Sequence, residues 1–514
     1  MQIAEQMNIL ENRISELEQE NKNLHETVAY LTRKLFGTSS EKSIVLGLEG
    51  QLSLFDEAEV EADINVAEPT LEDVDKIRKK KYTGQRKEKL ENLPHDKITF
   101  QLDDEDLDCP TCGKELTLVG EEFIRTEVEY IPAKLRVIDY YRATYECRKC
   151  KNGEQPYMEK APMPYPVIPH SFASPASVAH VMYQKYVNAM PLYRQEHDWS
   201  NLGLNLKRQT MSNWIMSASR DWLTPIIELL HRKLLEETYL HADETRIQVM
   251  NENNRKNTTD SYMWVYGTYN DSKTPIRLFE YQPTRSGKHP KDFLAGFKGY
   301  LVSDAYQGYE KVEDITRCFC WSHLRRYYVD ALPTDIKSPE ATLPSTAIGY
   351  CNKLFKIEKE IGDLPIDEKK SQRQKRSKPV LDAFWAWIEA NKDKCLPKSK
   401  LYTAFGYSLN QKEGLMQFIN DPNIAISNNL AENSIRPFTV GRRNWLFAGS
   451  PEGASASAAV YSIVETAKAN NLNPYEYLKY IFKYLPGVRF DKEPEFLEDF
   501  LPWSQEIQEY CKKS

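Results

Sequence analysis

The sequence predicts a multidomain α+β protein, and three patterns along its 514 residues carry that prediction. An N-terminal heptad repeat without proline or glycine indicates a long helix. Two separated Cys-x-x-Cys pairs indicate a small metal-bound module. After residue 237 the hydrophobic pattern changes from the helical period to the alternation of strands, and it returns to the helical period beyond residue 340.

The heptad repeat covers residues 3–35. Its two apolar rows are Ile3, Leu10, Leu17, Leu24 and Leu31, and Met7, Ile14, Asn21, Val28 and Leu35. Leucine at position d, β-branched residues at a and a lone Asn at a favour a parallel two-stranded coil. We therefore predict a leucine-zipper coiled coil over residues 1–42 and a homodimer formed through residues 3–35. A long helix packed on its own chain is the alternative, and higher oligomers fit the same repeat.

Charge is distributed unevenly along a chain whose formal net charge is −7. Residues 43–75 hold ten acids and no Lys or Arg, and residues 76–89 hold eight Lys or Arg against one Glu. Such blocks are typical of solvated, self-repelling segments, so residues 43–100 are predicted to be an acidic and then basic linker. The alternative is that the basic run contacts a DNA backbone.

A zinc ribbon is predicted for residues 101–160. Cys109 and Cys112 form the first knuckle, Cys147 and Cys150 form the second, and four thiolates complete a tetrahedral Zn²⁺ site. Four protein ligands leave no position for water, so this zinc is expected to be structural. Alternating residues between the knuckles, among them Leu135, Val137 and Tyr140, predict a hairpin. Redox-active or incidental cysteines are the alternative.

A helical DNA-binding domain is predicted for residues 170–235. Its predicted helices are Pro175–Asn188, Pro191–Ser200 and Lys207–Ser219, with a turn at Gly203 before the third. Helix, short glycine turn and helix form the outline of a helix-turn-helix, whose second helix enters the major groove by its N-terminal end. That end carries Lys207, Arg208, Gln209 and Thr210, all able to reach bases or phosphates. An ordinary helical hairpin has the same outline.

The next segment has the strand order of a ribonuclease-H-like core. Strands are predicted at Tyr239–Met250, Tyr262–Tyr269 and Ile276–Tyr281, then a helix at Pro290–Phe297, then strands at Gly299–Ser303 and Arg317–Trp321. Asp243 lies on the first strand and Asp304 directly follows the fourth. In that fold the two positions are neighbours at the centre of the sheet. Glu244 would point to the opposite face and is expected to be structural or to support the residues of the site from outside.

Glu432 is the candidate for a third carboxylate, at the start of a helix after Asn428 and Asn429. The long interval before it is filled by an all-helical insertion at about residues 340–420. Its apolar faces are Ile348, Leu354, Ile357 and Ile361, and Leu381, Phe384, Trp385 and Ile388. We predict a catalytic core over residues 236–450 and a helical C-terminal domain over residues 451–514.

Three converging carboxylates suit divalent cations. Mg²⁺ prefers oxygen ligands, and two such ions can activate the attacking oxygen and stabilise the leaving oxygen of a phosphodiester. We therefore predict that Asp243, Asp304 and Glu432 bind two Mg²⁺ or Mn²⁺ ions and are catalytic. Any one of these acids taken alone is more simply a solvated or capping residue.

The motifs resemble those of the insertion sequence sixty-six family of bacterial transposases, in its large DDE subunit. The resemblance covers LTRKLFGTSSEKS, CPTCGKEL, KYVNAMPLYRQE, HADET, SDAYQGY, CWSHLRRYY, NNLAENSIRP and GRRNWLFAGSPEGA in this order. It implies metal-dependent cleavage and strand transfer at the inverted repeats of a mobile element, with an acidic triad at Asp243, Asp304 and Glu432. It also implies small accessory proteins encoded by the same element. Ser427 departs from the family, whose members often carry an acid there.

Further residues remain as candidates after that resemblance. Arg436, Arg442, Arg443 and Trp445 follow Glu432 and suit phosphate contact and base stacking at a transposon end, and a cationic surface with a core Trp is the alternative. Cys320 and His323 resemble a C-x-x-H signature of several transposase families. A buried cysteine beside a packed histidine remains an attractive alternative, so no metal is assigned to them.

We expect a cytoplasmic, nucleoid-associated bacterial protein, because no apolar run reaches the ~18 residues of a membrane span and no apolar signal core is present. Its expected partner is double-stranded DNA, both transposon ends and target. The competing interpretations are a noncatalytic zinc-containing DNA-binding regulator, and a structure-specific nuclease that cuts ends without joining them.

Overall fold

The computed structural model describes Lys97 and residues 133–146, 158–269, 272–333, 342–490 and 492–513. The predicted coiled coil at 3–35, most of the linker at 43–100 and the ribbon cysteines Cys109, Cys112, Cys147 and Cys150 lie outside the described residues. Two compact units divide the chain. The larger includes residues 142–200 and 205–513, and the described residues of the smaller are Lys97, 133–141 and 201–204.

The predicted hairpin strand through Leu135, Val137 and Tyr140 was wrong, because residues 133–143 have no regular secondary structure. Val137 is 89% exposed and Tyr140 is 66% exposed. Alternation predicts a strand only where one face is buried, and here neither face is. A short antiparallel pair does follow, with β1 at Thr144–Glu146 and β2 at Met158–Lys160.

All three helices predicted for the DNA-binding segment are present, at α1 Pro175–Tyr186, α2 Leu192–Asn201 and α3 Arg208–Ala218. A capping box starts α1, since the Ser174 hydroxyl accepts the Ser177 N–H and the Ser177 hydroxyl accepts the Ser174 N–H. Gly203 has φ of +92°, the left-handed region that glycine adopts at little cost. A π-helical turn at Ser219–Leu223 continues into α4 at Thr224–Leu235.

The second half of the larger unit is built on a six-stranded mixed sheet. Its strands are β3 Tyr239–Val249, β4 Asp260–Thr268, β5 Arg277–Gln282, β6 Gly299–Ser303, β7 Ile315–Phe319 and β8 Phe447–Ala448. The order is β5-β4-β3-β6-β7, and β8 pairs with the far end of β3. The first three strands are antiparallel, whereas β6 and β8 run parallel to β3 and β7 runs parallel to β6. The strand order predicted for residues 239–319 is therefore observed.

Two elements differ most from their predicted bounds. The helix expected at Pro290–Phe297 is α5 at Lys288–Phe293, and the strand expected at Arg317–Trp321 ends two residues earlier. Trp321 instead begins helix α6, Trp321–Asp330. Its indole is fully buried and donates to the Leu415 carbonyl at 2.8 Å, so tertiary packing outweighs its β propensity.

The outer edge of β5 is closed by a helix. Helix α13, Pro451–Ala469, places Ser462 and Thr466 one turn apart along β5. The Phe279 N–H donates to the Ser462 hydroxyl at 2.7 Å, and the Arg277 N–H donates to the Thr466 hydroxyl at 3.0 Å. These bonds satisfy backbone groups that an open edge would expose, and they orient α13 on the sheet.

The segment predicted to be an all-helical insertion consists of helices. They are α7 Leu343–Glu360, α8 Ile366–Gln372, α9 Lys378–Asn391, α10 Lys400–Asn410 and α11 Lys412–Asn420. The predicted apolar faces are buried, and they share a core with Trp321 and Val302 of the sheet region. The insertion is therefore anchored on β6, β7 and α6 and packs as one body with them.

Three helices complete the fold, α12 Asn429–Trp445 before α13, then α14 Pro474–Tyr484 and α15 Gln505–Tyr510. Helix α12 continues through Pro437, whose ring removes one backbone donor. Its buried face includes Ile435, Phe438 and Gly441, so packing stabilises the helix through that position. Among the described residues, no helix is long and apolar enough to cross a membrane.

Candidate active site

Asp243 lies in the middle of β3, where the pairing of that strand changes. Before it, β3 pairs with β6 through the register Tyr239↔Tyr300 to His241↔Val302. Asp243 and Asp304 each lie two residues beyond the last of these pairs, at the same end of the two parallel strands. The Glu244 N–H donates to the Asp243 carboxylate at 2.9 Å and orients it.

Asp304 directly follows the last residue of β6. One of its oxygens accepts the Tyr306 N–H at 3.0 Å, and the other lies 3.6 Å from an Nη of Arg285. The chain turns here into a short 3-10 helix at Gln307–Lys311. The carboxylate is therefore held at the strand end by a turn and a cation, with its side chain 23% exposed.

Glu432 lies in the first turn of α12, and its side chain is only 4% exposed. The Glu432 N–H donates to the Asn428 carbonyl at 3.2 Å in the bond that starts the helix. The pKa of Glu432 is raised to about 6, mainly by burial, with the charge of Arg326 lowering it and the charge of Asp304 raising it. A carboxylate is thus held in a desolvated position close to a second one.

The structure brings the three predicted acids together. The pKa of Asp243 is raised well above its usual value, first by burial and then by the charges of Glu244, Asp304 and Glu432. Carboxylates repel in this way only when they lie close together. Among the described residues, the three acids do not form a group whose ligand atoms all lie within 4.8 Å of one another.

Asn428 connects the elements that carry these acids. Its side chain is fully buried, and Nδ2 donates to the Ala242 carbonyl at 2.9 Å. Its Oδ1 lies 2.9 Å from His241 Nδ1, so that ring nitrogen is the donor. Its backbone N–H donates to Cys320 Sγ at 3.1 Å. One residue therefore fixes the start of α12 against β3 and against the start of α6.

Cys320 and His323 lie beside Glu432. Cys320 directly precedes α6, and His323 is in its first turn, with Nδ1 3.5 Å from Glu432 Oε1. The pKa of His323 is lowered to about 4 by burial and by the Arg326 charge, against the opposing charge of Asp304, so the imidazole is neutral at neutral pH. Among the described residues, Cys320, His323 and Glu432 are the one group of three whose ligand atoms lie within 4.8 Å of one another.

Unpaired polar atoms show that the site fits a cation. Both carboxylate oxygens of Glu432 and the Nδ1 of His323 are buried and have no hydrogen-bond partner within the described chain. Buried polar groups are normally paired, and an unpaired one costs about 1–3 kcal/mol. A cation that accepts these lone pairs supplies the missing partner, so the unpaired atoms of Glu432 and His323 fit a bound metal ion.

Glu244 lies on the opposite face of β3, as predicted, but it also reaches the site. Its carboxylate is 1% exposed and accepts the Arg285 Nε–H at 2.7 Å and the Tyr309 hydroxyl at 2.8 Å. Arg285 also faces Asp304 and stacks on the Tyr306 ring at 4.1 Å. Glu244 therefore orients the guanidinium of Arg285, which neighbours Asp304.

The candidates for DNA contact on α3 lie on an exposed helix start. Lys207, Arg208 and Gln209 are exposed and Thr210 is half-buried. Lys207 Nζ lies 3.7 Å from Glu196, and the Arg208 guanidinium lies 5.9 Å from the Tyr193 ring. Both contacts are at the surface, where ion pairs are weak and phosphate can displace them.

The candidates that follow Glu432 fall into two groups. Arg443 is exposed and Arg436 is half-buried. Arg442 instead donates to the Arg246 carbonyl and to the Thr245 hydroxyl, so it fastens α12 to β3. Trp445 is half-buried and packs edge-to-face on Tyr186 at 6.3 Å, so its ring joins α12 to α1.

Sequence reasoning did not identify His241, Arg285 or Asn428 as parts of the site. His241 precedes Asp243 by two residues, so strand alternation places both side chains on one face of the sheet. The sequence alone could therefore have predicted His241 beside Asp243. Asn428 was noted only as a residue that precedes the helix of Glu432, and no role was predicted for it. Arg285 is in a loop 41 residues from Glu244 and has no local pattern that points to either acid.

Comparisons with known proteins agree with this architecture. The model of the transposase IS66 family matches residues 170–456, and the model of the zinc-finger binding domain of transposase IS66 matches residues 106–151, which include all four predicted zinc ligands. The IS66 C-terminal element matches residues 462–503, and the transposase C of IS166 homeodomain matches residues 23–98.

Two relatives from Sinorhizobium fredii show the extent of the similarity. Uncharacterized protein y4hP is 28% identical over 417 residues, which cover 77% of this chain and 73% of the relative. Uncharacterized protein y4qI is 27% identical over 498 residues, which cover 94% of this chain and 88% of the relative. Since the first family model alone spans more than half of the sequence, the chain belongs to the IS66 family of transposases.

Proposed function

We propose that the chain is a DDE transposase that cleaves DNA at the inverted-repeat ends of a bacterial insertion sequence and joins those ends to target DNA. The proposal is supported by the positions of Asp243 on β3, Asp304 at the end of β6 and Glu432 at the start of α12, and by the charges of Asp304 and Glu432 raising the pKa of Asp243. The strand order and directions are those expected of a ribonuclease-H-like core, which supports the same conclusion.

In this proposal Asp243, Asp304 and Glu432 hold two Mg²⁺ or Mn²⁺ ions. When bound, the ions stabilise charge on the attacking and leaving oxygens of an in-line displacement at phosphorus. The chain itself positions the ligands. The Glu244 N–H orients Asp243, the Tyr306 N–H and Arg285 orient Asp304, and Asn428 sets the start of the helix that carries Glu432.

Positive side chains near Glu432 and on two other helix ends suit a DNA substrate. Arg326 is exposed on α6 and lies close enough to Glu432 to lower its pKa. Arg443 is exposed at the far end of α12, and Lys207 and Arg208 are exposed at the start of α3. We assign these residues to phosphate contact, which positions a duplex without reading its sequence.

The parts outside the described residues complete the proposal. A structural Zn²⁺ held by Cys109, Cys112, Cys147 and Cys150 stabilises the ribbon, and the match to the zinc-finger model over residues 106–151 supports it. The heptads of residues 3–35 form a homodimer, which would bring two catalytic cores to the two ends of one element. Small proteins encoded by the same element are further partners in this assembly.

Asp243→Asn tests the proposal directly. The full-length variant should bind labelled element ends as the wild type does and lose Mg²⁺-dependent nicking and joining, because the amide keeps the shape but not the charge. Wild-type rates of nicking in the variant would refute the role of Asp243. Cleavage without joined products in the wild type would instead indicate a structure-specific nuclease, and DNA binding without metal-dependent nicking would indicate a regulator.

A further inference from the structure

We propose that Cys320, His323 and Glu432 form a transition-metal site that takes Zn²⁺, and that zinc bound there withdraws Glu432 from the Mg²⁺ site. The first part rests on the geometry of these three residues alone. The second part rests on the proposed function, because it requires Glu432 to serve Mg²⁺-dependent cleavage.

The distances suit zinc. The three ligand atoms lie within 4.8 Å of one another, and His323 Nδ1 is 3.5 Å from Glu432 Oε1. Zn²⁺ bonds of about 2.0–2.3 Å in a tetrahedron set ligand atoms roughly 3.5 Å apart. The imidazole and carboxylate are therefore already at that separation, and the 4.8 Å limit means that the sulfur is at most about 1.3 Å too far from either of them.

The chemical types of the ligands select the cation. Thiolate and imidazole favour Zn²⁺, whereas Mg²⁺ takes oxygen ligands almost exclusively. Three protein ligands from Cys, His and a carboxylate, with a fourth position left for water, are the pattern of open zinc sites. Asp243 and Asp304 offer Mg²⁺ the oxygen ligands that this group lacks. Glu432 therefore belongs both to a set of oxygen ligands that suits Mg²⁺ and to a mixed set that suits Zn²⁺.

A second observation points to a ligand in this place. The Glu432 side chain is only 4% exposed, yet neither of its oxygens has a hydrogen-bond partner in the described chain. The Nδ1 of His323 is likewise buried and unpaired. The Asn428 N–H donates to Cys320 Sγ at 3.1 Å and holds the sulfur, the kind of outer hydrogen bond that orients metal ligands.

Cobalt binding to the full-length protein tests the site, with Co²⁺ as a spectroscopic substitute for Zn²⁺. The wild type should bind one more Co²⁺ per chain than Cys320→Ser, and its thiolate-to-cobalt absorption should be correspondingly larger. Cys351→Ser is the matched control, since Cys351 is also a fully buried free thiol but lies in α7, outside the group. His323→Gln provides a second variant if Cys320→Ser does not fold.

Equal cobalt stoichiometry and absorption in the wild type and in both site variants would overturn the proposed site.

The inhibition is tested by adding Zn²⁺ to Mg²⁺-supported cleavage of element ends. Zinc should inhibit the wild type and Cys351→Ser alike, and half-inhibition of Cys320→Ser should need at least about 10-fold more zinc. Equal sensitivity would overturn the competition for Glu432. If the wild type does not cleave element ends with any of the metals, the proposed function is overturned. The cobalt measurement would still show whether Cys320, His323 and Glu432 bind a metal ion.

Discussion

Replacing Glu432 by Gln should stabilise the metal-free protein at neutral pH while it abolishes metal-dependent cleavage. Glu432 is buried beside other carboxylates, and its charged form has no hydrogen-bond partner in the described chain. A neutral amide of the same shape removes that charge. Residues that hold a functional cation are thus expected to cost stability whenever the cation is absent.

The magnitude follows from the pKa. Its rise from 4.5 to about 6 corresponds to about 2 kcal/mol of destabilisation once the group is ionised in the folded state. Between these pH values the folded protein holds more protons than the unfolded chain, so its stability falls as pH rises. Glu432→Gln should therefore gain about 2 kcal/mol at pH 7.5 and less than about 1 kcal/mol at pH 5.

Thermal unfolding at the two pH values, with and without Mg²⁺ or Mn²⁺, measures this prediction. A gain of about 2 kcal/mol raises the midpoint by roughly 3 °C for a unit of this size, since the entropy of unfolding is about 2.1 cal/mol/K per residue. Metal should raise the midpoint of the wild type and leave Glu432→Gln unchanged, since a ligand stabilises only a state that binds it.

Glu280→Gln is the matched control. Burial raises the pKa of Glu280 to about 7, but its register partner on β4 is Trp264, which pairs with Glu244 and so places Glu280 on the face opposite Asp243. This variant should also gain stability at neutral pH and should keep both the metal response and cleavage. A Glu432→Gln protein no more stable than wild type at pH 7.5, or equally stabilised by metal, would refute the reasoning.

Three further results are expected. Asn428→Ala should lose about 2–5 kcal/mol in denaturant unfolding, because two buried side-chain bonds are removed, and its Mg²⁺ midpoint for cleavage should rise; an unchanged midpoint would contradict its positioning role. Arg285→Lys should lower the cleavage rate at least about tenfold without weakening end binding, since lysine lacks the fork that Glu244 orients. Lys207→Ala with Arg208→Ala should reduce the salt dependence of end binding by about two in log–log slope, measured by filter binding, and an unchanged slope would exclude phosphate contact.

Much of the candidate site could be predicted because its signals are local. Strand alternation around Asp243 and the abrupt end of the strand before Asp304 depend on neighbours a few residues away. The helical insertion showed its own 3.6-residue period, so the long interval before Glu432 did not hide the third acid. The order of strands then limited the topology, since sequential antiparallel strands usually pair.

The errors have a common physical cause. Trp321 was assigned to a strand although it starts α6, where its indole is buried against α11. Leu135, Val137 and Tyr140 alternate like a strand but are exposed. Local patterns report what a segment prefers, whereas the partner that buries it lies elsewhere in the chain.

The sequence by itself determined the family and the order of the described elements, and it predicted the three acids, because each of these is encoded in short-range pattern and motif. Only the tertiary structure decided which polar groups meet. Asn428 bonds to His241 across 187 residues, Glu432 faces His323 across more than a hundred, and Arg285 links Glu244 to Asp304. Such contacts depend on sheet register and helix packing, which bring together side chains that share no local pattern.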